Sequence, residues 1–100
     1  MAPEEPSPKA QNRVHLIIHG DVQGVFFRDF VNKTATALKL KGWVRNTSEK
    51  TVEVVAEGEK ENLKELIEKC KKGPPFADVE NISIEWAEAT EEFSDFKIRY

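Results

Sequence analysis

The apolar positions of the chain repeat with two different periods, and each period predicts a different kind of element. Alternating apolar and polar residues predict strands, because successive side chains of a strand face opposite sides. Apolar residues three and four positions apart predict amphipathic helices. The predicted strands are 13–19, 42–46, 51–57, a segment around 82–86, and 93–100. The predicted helices are 27–38 and 59–72.

The order of these elements predicts the fold class. It is β-α-β-β-α-β with one further C-terminal strand, which is the split βαβ arrangement of a ferredoxin-like α+β sandwich. An antiparallel sheet would carry both helices on one face, so that the two apolar helix stripes are buried together. One domain over residues 13–100 is expected after a disordered tail, because residues 1–12 are rich in proline and have no large apolar residue beyond Met1.

The composition argues against several classes of protein. One hundred residues, of which 39% are hydrophobic and 33% charged, fit one globular domain. A net charge of −3 disfavours a broad nucleic-acid binder, because such proteins carry an excess of lysine and arginine. No apolar run is long enough to span a membrane, and no signal-like segment opens the chain. A cytoplasmic monomer without a nucleic-acid or membrane partner is therefore expected.

The residue types that usually bind metals are too few or too far apart to predict a metal site. Cys70 is the single cysteine, so the chain forms neither an internal disulfide nor a cysteine metal cage. Its place on the apolar stripe of the second helix predicts a buried, inert thiol. His15 and His19 share a strand face but lie four residues apart, which is too far to bind one metal readily. We predict no metal and no cofactor.

A glycine-bearing loop with a lone arginine separates the first strand from the first helix. Gly20 and Gly24 permit backbone angles that let successive N–H groups converge on one point. The start of the helix adds its own unpaired N–H groups, and Arg28 in the first turn could bind two oxygens of a phosphate held there. From these residues alone the plainer interpretation is favoured, in which the glycines only shape the turn and Arg28 extends to solvent.

Four segments, taken together, change this interpretation. The stretch from Gly20 to Arg28, G-D-V-Q-G-V-F-F-R, resembles the G-x-V-Q-G-V-x-F-R signature of the acylphosphatases. Gly42 to Asn46 resembles their second motif, and Gly73-Pro74-Pro75 and Phe96 to Tyr100 resemble the family in the same order. The resemblance covers residues 13–100. It implies a hydrolase that splits the carboxyl–phosphate bond of an acyl phosphate into a carboxylate and inorganic phosphate.

The same resemblance implies a role for individual residues. Arg28 and the backbone N–H groups of the loop would bind the phosphate, Asn46 would orient the attacking water, and a phosphate oxygen of the substrate would take the proton. The loop positions that carry over are Asp21, Val22, Gln23, Gly24, Val25 and Phe26. Beside Asn46, Arg45 is expected to point to the opposite sheet face, and Thr47 is a candidate hydrogen-bond support.

The expected partners follow from that reaction, and two alternatives stay open. The substrate is a small acyl phosphate, and inorganic phosphate is expected both as the product and as an inhibitor. One alternative is a non-catalytic ferredoxin-like module that binds an anion or a protein through the same loop. The other is a free-standing relative of the acylphosphatase-like domain in carbamoyl-transferring maturation enzymes.

The chain departs from the family pattern at three places. Asp21 stands where members often have a non-acidic residue, and its charge would weaken phosphate binding unless the side chain points away. Lys39 stands where many members have a glycine, and Glu49–Lys50 where many have Asp-Gly. Left-handed backbone angles at a lysine cost about 1 kcal/mol relative to glycine. Either the two turns differ locally or this strain is accepted.

Overall fold

The structure is a computed structural model that describes residues 11–100. Its strands are β1 (Gln11–Asp21), β2 (Lys41–Asn46), β3 (Val52–Glu59), β4 (Asp78–Glu88) and β5 (Phe96–Arg99), and its helices are α1 (Phe27–Ala37) and α2 (Lys60–Lys72). The predicted order of elements is confirmed. The predicted tail lies outside the described residues except for Gln11 and Asn12. These two residues begin β1, because they pair with the end of β3.

The five strands form one sheet in the order β4-β1-β3-β2-β5. The three pairings among β4, β1, β3 and β2 are antiparallel, as predicted, but β5 pairs in parallel with β2, so that the whole sheet is mixed. The connection from β4 to β5 crosses the end of the sheet to the opposite edge. Because β5 begins at the end of the sheet where β4 ends, it runs antiparallel to β4. Strand β2 is also antiparallel to β4, so β5 and β2 are parallel to each other. The predicted ferredoxin-like α+β fold is confirmed with this one difference.

Both helices cover the same face of the sheet and bury a common core against it. On that face Val14, Leu16 and Ile18 of β1 are fully buried, as the alternation of residues 13–19 predicts. The helix residues buried against them are Leu63, Leu66, Ile67 and Cys70 on α2 and Phe27, Val31 and Ala35 on α1. Burial raises the pKa of the Cys70 thiol to about 12, so the thiol stays protonated at neutral pH and is a poor nucleophile.

Strand β4 is less covered than its apolar pattern predicts. Ile82, Ile84 and Trp86 pair with the buried residues of β1 and share their face. However, Ile84 and Trp86 are 38% and 43% exposed, because β4 is an edge strand that the helices cover only in part. No helix within residues 11–100 has the length and apolarity needed to cross a membrane.

A buried carboxylate anchors the connection between β4 and β5. Glu57 of β3 accepts hydrogen bonds from the backbone N–H groups of Thr90 and Glu91, at 2.8 and 2.9 Å, and from the Thr90 hydroxyl at 2.9 Å. Arg13 of β1 completes the set with an ion pair at 2.9 Å to the same carboxylate. Glu57 therefore fixes the segment that carries the chain to β5.

Candidate active site

The loop between β1 and α1 begins at a distortion in the sheet. The pairing of β1 with β4 shifts register between His19 and Gly20. Gly20 has a φ of 132°, and a Cβ atom there would lie 2.1 Å from the carbonyl oxygen of Asp78. Gly20 is therefore needed for the close approach of two strands. Gly24, with a φ of 77° and open space around it, serves the conformation of the loop itself.

The backbone N–H groups of this loop are available to a ligand. Within residues 11–100, those of Val22 to Phe26 donate no hydrogen bond to the protein. Phe26, directly before α1, is left-handed with φ 64° and ψ 26°, a conformation that costs a residue other than glycine about 1–2 kcal/mol. Changes of handedness along a short segment turn successive N–H groups to one side and form an anion-binding concavity. The loop therefore has a backbone form suited to an anion.

Gln23 fastens this loop to the turn between β2 and β3. Its side-chain amide donates hydrogen bonds to the carbonyl oxygens of Thr47 and Thr51, at 3.0 and 2.9 Å. From the sequence, Gln23 is expected to act through its backbone alone. The side-chain contact adds a mechanical role, because it holds the loop beside the end of β2, where Asn46 lies.

Asn46 is the last residue of β2. Its side chain lies on the same face of the strand as that of buried Val44, which is the face that carries the helices. Its side-chain amide makes no hydrogen bond within the described part of the chain, which leaves it available to a ligand or a water. Arg45 points to the opposite face, as predicted, and its Nε lies 2.7 Å from Glu53. The hydroxyl of Thr47 bonds within the turn, to Thr51, and not to Asn46.

Arg28 lies in the first turn of α1, and its guanidinium stacks on the ring of Tyr100. The Cζ atom of Arg28 is 4.8 Å from the ring centroid, a cation–π distance. Arg28 forms no ion pair with a carboxylate within residues 11–100. Its five donors therefore remain available to a phosphate.

A single cleft of about 500 Å³ brings these groups together. Its lining residues are Val22, Gly24, Phe26, Phe27, Arg28, Asp29, Asn46, Ile98 and Tyr100. Three of the predicted positions lie beside the cleft and do not line it. Asp21 is exposed and paired with Asp78 in the sheet, Gln23 faces the hairpin turn, and Val25 packs partly against the core. Arg28 and Asn46, from two distant segments of the sequence, meet in the lining.

Comparison with known proteins identifies the protein family of the chain that carries this site. A sequence profile of the acylphosphatase family matches residues 14–98. The chain belongs to the acylphosphatase family. The predicted resemblance is thereby confirmed over nearly the whole of the described structure.

Individual acylphosphatases are similar along almost their full length. An acylphosphatase of Pelotomaculum thermopropionicum is 46% identical over 88 residues, which are 88% of this chain and 96% of the relative. The crystal structure of the acylphosphatase from Bacillus subtilis has a TM-score of 0.86 at 39% identity, over 89% of this chain and 99% of that chain. Full-length HypF in its phosphate- and nucleotide-bound form has a TM-score of 0.84 at 32% identity, over 92% of this chain but 12% of HypF. The predicted enzyme class is confirmed by these relatives.

The departures from the acylphosphatase pattern can now be placed. Lys39 and Lys50 keep left-handed angles, with φ of 61° and 66°, so the strain is accepted and the turns are not remodelled. Asp21 lies outside the cleft lining, where it is exposed and pairs with Asp78 in the sheet. None of these departures replaces Arg28 or Asn46.

The two histidines lie away from the acylphosphatase site. His15 is on the open face of the sheet, with Nε2 2.6 Å from Glu53. There Glu53 also binds Arg45, and although burial acts to raise the pKa of Glu53, these two partners bring that pKa below its usual value. His19 faces the same open side of the sheet. The described residues contain no group of three or more potential metal ligands.

The aromatic part of the cleft is not predicted from the sequence. Phe26 was predicted to act through its backbone, and the Phe96–Tyr100 segment was predicted only as part of the last strand and as a family feature. In the structure the side chains of Phe26 and Tyr100 both line the cleft, and Ile98 lies with them. The F-x-I-x-Y pattern could have indicated Ile98 and Tyr100 as one strand face, but not that this face borders the loop.

Proposed function

We propose that this acylphosphatase-family protein hydrolyses the carboxyl–phosphate bond of acyl phosphates through the cleft that Arg28 and Asn46 line. The observation that carries the proposal is the meeting of three groups in one cleft. These are the unbonded N–H groups of residues 22–26, the unpaired guanidinium of Arg28 and the unbonded amide of Asn46. The first two come from one segment, residues 22–28, and Asn46 comes from a strand distant from it in the sequence.

The loop and Arg28 bind the phosphate in this proposal. Backbone N–H groups and the start of α1 present partial positive charge, and Arg28 can donate two parallel hydrogen bonds to phosphate oxygens. Donors fixed in place before the reaction stabilise charge on the phosphate oxygens as it develops, which is the largest contribution in many phosphoryl transfers. We restrict the loop to residues 22–26, because Asp21 is paired in the sheet.

Asn46 positions the attacking water. The water oxygen forms a bond to phosphorus while the bond from phosphorus to the acyl oxygen breaks, and the carboxylate leaves with that electron pair. The carboxylate is a good leaving group because its conjugate acid has a low pKa. The proton of the water passes to a phosphate oxygen of the substrate, so no side chain is required as a base and no metal enters the scheme.

The test is hydrolysis of benzoyl phosphate in the presence of a chelator. We expect metal-independent turnover by the wild type and competitive inhibition by inorganic phosphate. Arg28→Ala and Asn46→Ala should each lower kcat/KM by at least about a hundredfold, the usual loss when one fixed donor is removed. Arg28→Lys should lose most of the activity as well, because an ammonium group cannot form the two parallel bonds.

The matched control is Arg45→Ala, which removes the arginine next to Asn46 on the opposite sheet face. It should keep kcat/KM within about twofold, since an exposed ion pair contributes little to structure. Wild-type turnover no faster than in buffer would overturn the enzyme proposal and leave the anion-binding module. Full activity in Asn46→Ala would overturn the water-positioning role alone.

The similarity to HypF supports a second candidate function, that of a free-standing relative of the acylphosphatase-like domain in carbamoyl-transferring maturation enzymes. HypF is a far larger protein, of which this chain matches 12%. A free-standing relative of such a domain would prefer carbamoyl phosphate over benzoyl phosphate, so the ratio of the two kcat/KM values decides between them. A cytoplasmic monomer stays part of the proposal, and sedimentation of the full chain tests its oligomeric state.

A further inference from the structure

Strand β5 forms one wall of the cleft and has little support from the sheet. It has four residues, lies at an edge, and pairs on one side only, in parallel with β2. Ile98 of this strand and Tyr100, directly after it, line the cleft together with Arg28 of α1. A short edge strand has few hydrogen bonds to its single neighbour, so its position relative to α1 depends on contacts with the helix.

Asn32 of α1 supplies such a contact. Its side-chain amide donates a hydrogen bond of 3.1 Å to the carbonyl oxygen of Phe96, the first residue of β5. Within residues 11–100 this is the only side-chain hydrogen bond that joins α1 to another element. The preceding carbonyl, that of Asp95, accepts from the backbone N–H of Gly42 in β2 at 2.9 Å. Because successive carbonyls of a strand alternate in direction, the Phe96 carbonyl faces the free edge, and Asn32 gives it a protein partner.

Asn32 and Arg28 reach the same wall of the cleft from one face of α1. They lie four residues apart, which places them one above the other on the helix. The Cζ atom of Arg28 is 4.8 Å from the ring centroid of Tyr100, just after the end of β5, while Asn32 binds the beginning of the strand. These two contacts fix both the distance of β5 from α1 and its direction. Without the Asn32 contact, Tyr100 and the guanidinium stacked on it are free to shift.

We propose that Asn32 is a positioning residue, which holds β5 against α1 so that Arg28 keeps the orientation in which it binds the phosphate. The inference rests on the proposed function, because it concerns the orientation of Arg28 in the same cleft. Asn32 itself does not line the cleft. Its effect on the rate passes through β5 and Arg28, because a displacement of about 1 Å at a group that holds the substrate can cost roughly a hundredfold in rate.

The experiment measures kcat/KM for benzoyl phosphate and the inhibition constant of inorganic phosphate in two variants. Asn32→Leu removes the donor at similar size. It should lower kcat/KM by about tenfold and raise the inhibition constant, since Arg28 binds the phosphate of both molecules. Asn32→Gln keeps the donor but moves it outward by the length of a C–C bond. It should lower kcat/KM by about threefold and leave the free energy of unfolding unchanged, a combination that a merely structural contact would not give.

The matched control is Thr36→Leu, one turn further along α1. Thr36 is exposed and makes no side-chain hydrogen bond within residues 11–100, so its substitution should leave kcat/KM and the inhibition constant unchanged. Hydrogen exchange of the backbone amides of Lys97 and Arg99, which face β2, reports the attachment of β5 directly. It should be faster in Asn32→Leu than in the wild type or in Thr36→Leu. Thermal unfolding checks that each variant is folded, and Asn32→Gln decides the question if Asn32→Leu does not fold.

A double variant with Arg28→Ala tests the route of the effect. If Asn32 acts through Arg28, Asn32→Leu should change kcat/KM by less than about twofold once Arg28→Ala is present, because the two residues are then coupled. A further loss of about tenfold in that background would overturn the positioning role. Unchanged kcat/KM in both Asn32→Leu and Asn32→Gln would overturn it as well, and either result leaves the hydrolase intact. Absence of turnover in the wild type would overturn the proposed function and the positioning role with it.

Discussion

Left-handed backbone angles at residues other than glycine mark where this chain carries local strain. Within residues 11–100 these are Phe26, Lys39, Lys50, Phe76 and Glu91. Lys39 follows α1, and Lys50 lies in the turn between β2 and β3. Neither lysine lines the cleft, so their strain serves no contact with a ligand. At these two positions the chain accepts a conformation that glycine would adopt without a steric penalty.

Lys39→Gly and Lys50→Gly should therefore each stabilise the protein by about 1 kcal/mol, less a few tenths for the greater freedom of glycine in the unfolded chain. Denaturant unfolding measures the change. Lys64→Gly, in the middle of α2, is the control and should destabilise by about 1 kcal/mol, because its backbone is right-handed helix. A loss of stability in both turn variants would show that lysine side-chain contacts outweigh the backbone strain.

Residue-scale prediction from the sequence succeeded where a pattern fixes the backbone and failed where tertiary neighbours decide. The left-handed angles at Lys39 and Lys50 were one of two alternatives left open by the sequence, because the corresponding family positions favour glycine. The exposure of Phe26 and Tyr100 was not anticipated. Both rings are exposed in the folded protein, and the local apolar pattern does not specify how far neighbouring elements cover them.

At the scale of elements, the loop after β1 and the hairpin of β2 and β3 act as one unit through Gln23. The two side-chain hydrogen bonds of Gln23 join segments more than twenty residues apart. Arg28 follows the loop, and Asn46 precedes the turn. The distance between the loop with Arg28 and the amide of Asn46 thus depends on this contact.

Gln23→Ala should lower kcat/KM by about tenfold, because small misplacements of reacting groups have large effects on rate. It should also lower the free energy of unfolding by about 1–2 kcal/mol, the cost of two lost hydrogen bonds. Gln23→Glu keeps the size but places a carboxylate against two carbonyl oxygens, so it should be worse in both respects. Stability loss with unchanged kcat/KM in both variants would reduce Gln23 to a structural role.

Element-scale prediction was most successful for segments with a strong period. The stripe of α2 and the alternation of β1 each identified the buried face, since both depend on local spacing. The direction of β5 could not be predicted from its own residues. It follows from where the chain leaves β4 and from which edge of the sheet is free. The exposure of Trp86 has the same origin, because coverage of an edge strand depends on the placement of α2.

For the molecule as a whole, Glu57 links acid stability to the closure of the fold. Burial by itself would raise the pKa of this carboxyl. The hydrogen bonds from the backbone of Thr90 and Glu91, the Thr90 hydroxyl and Arg13 outweigh burial and bring the pKa below its ordinary value of 4.5. The charged form is therefore favoured in the folded protein, and it holds the connection from β4 to β5.

Glu57→Gln should lower the free energy of unfolding at pH 7 by about 2–3 kcal/mol, because an amide offers one acceptor to several donors. As pH falls below about 4.5, the unfolded chain takes up a proton before the folded one, and the contribution of Glu57 is lost through its folded pKa. The difference between wild type and variant should therefore shrink on acidification. Urea unfolding across that pH range measures it, with exposed Glu80→Gln as the control. A difference independent of pH would contradict the assignment.

The strand order also governs how the chain reaches its folded state. Only β2 and β3 are neighbours both in the sheet and, through a short turn, along the described sequence. The pairings of β1 with β3 and β4, and of β2 with β5, close long loops, so we expect folding at the rate of mixed α/β domains, slower than helical bundles. Asn46 lies at the one local hairpin, whereas residues 22–26 take their shape only once β1 is paired. A refolding chain should therefore regain turnover no earlier than it completes its sheet.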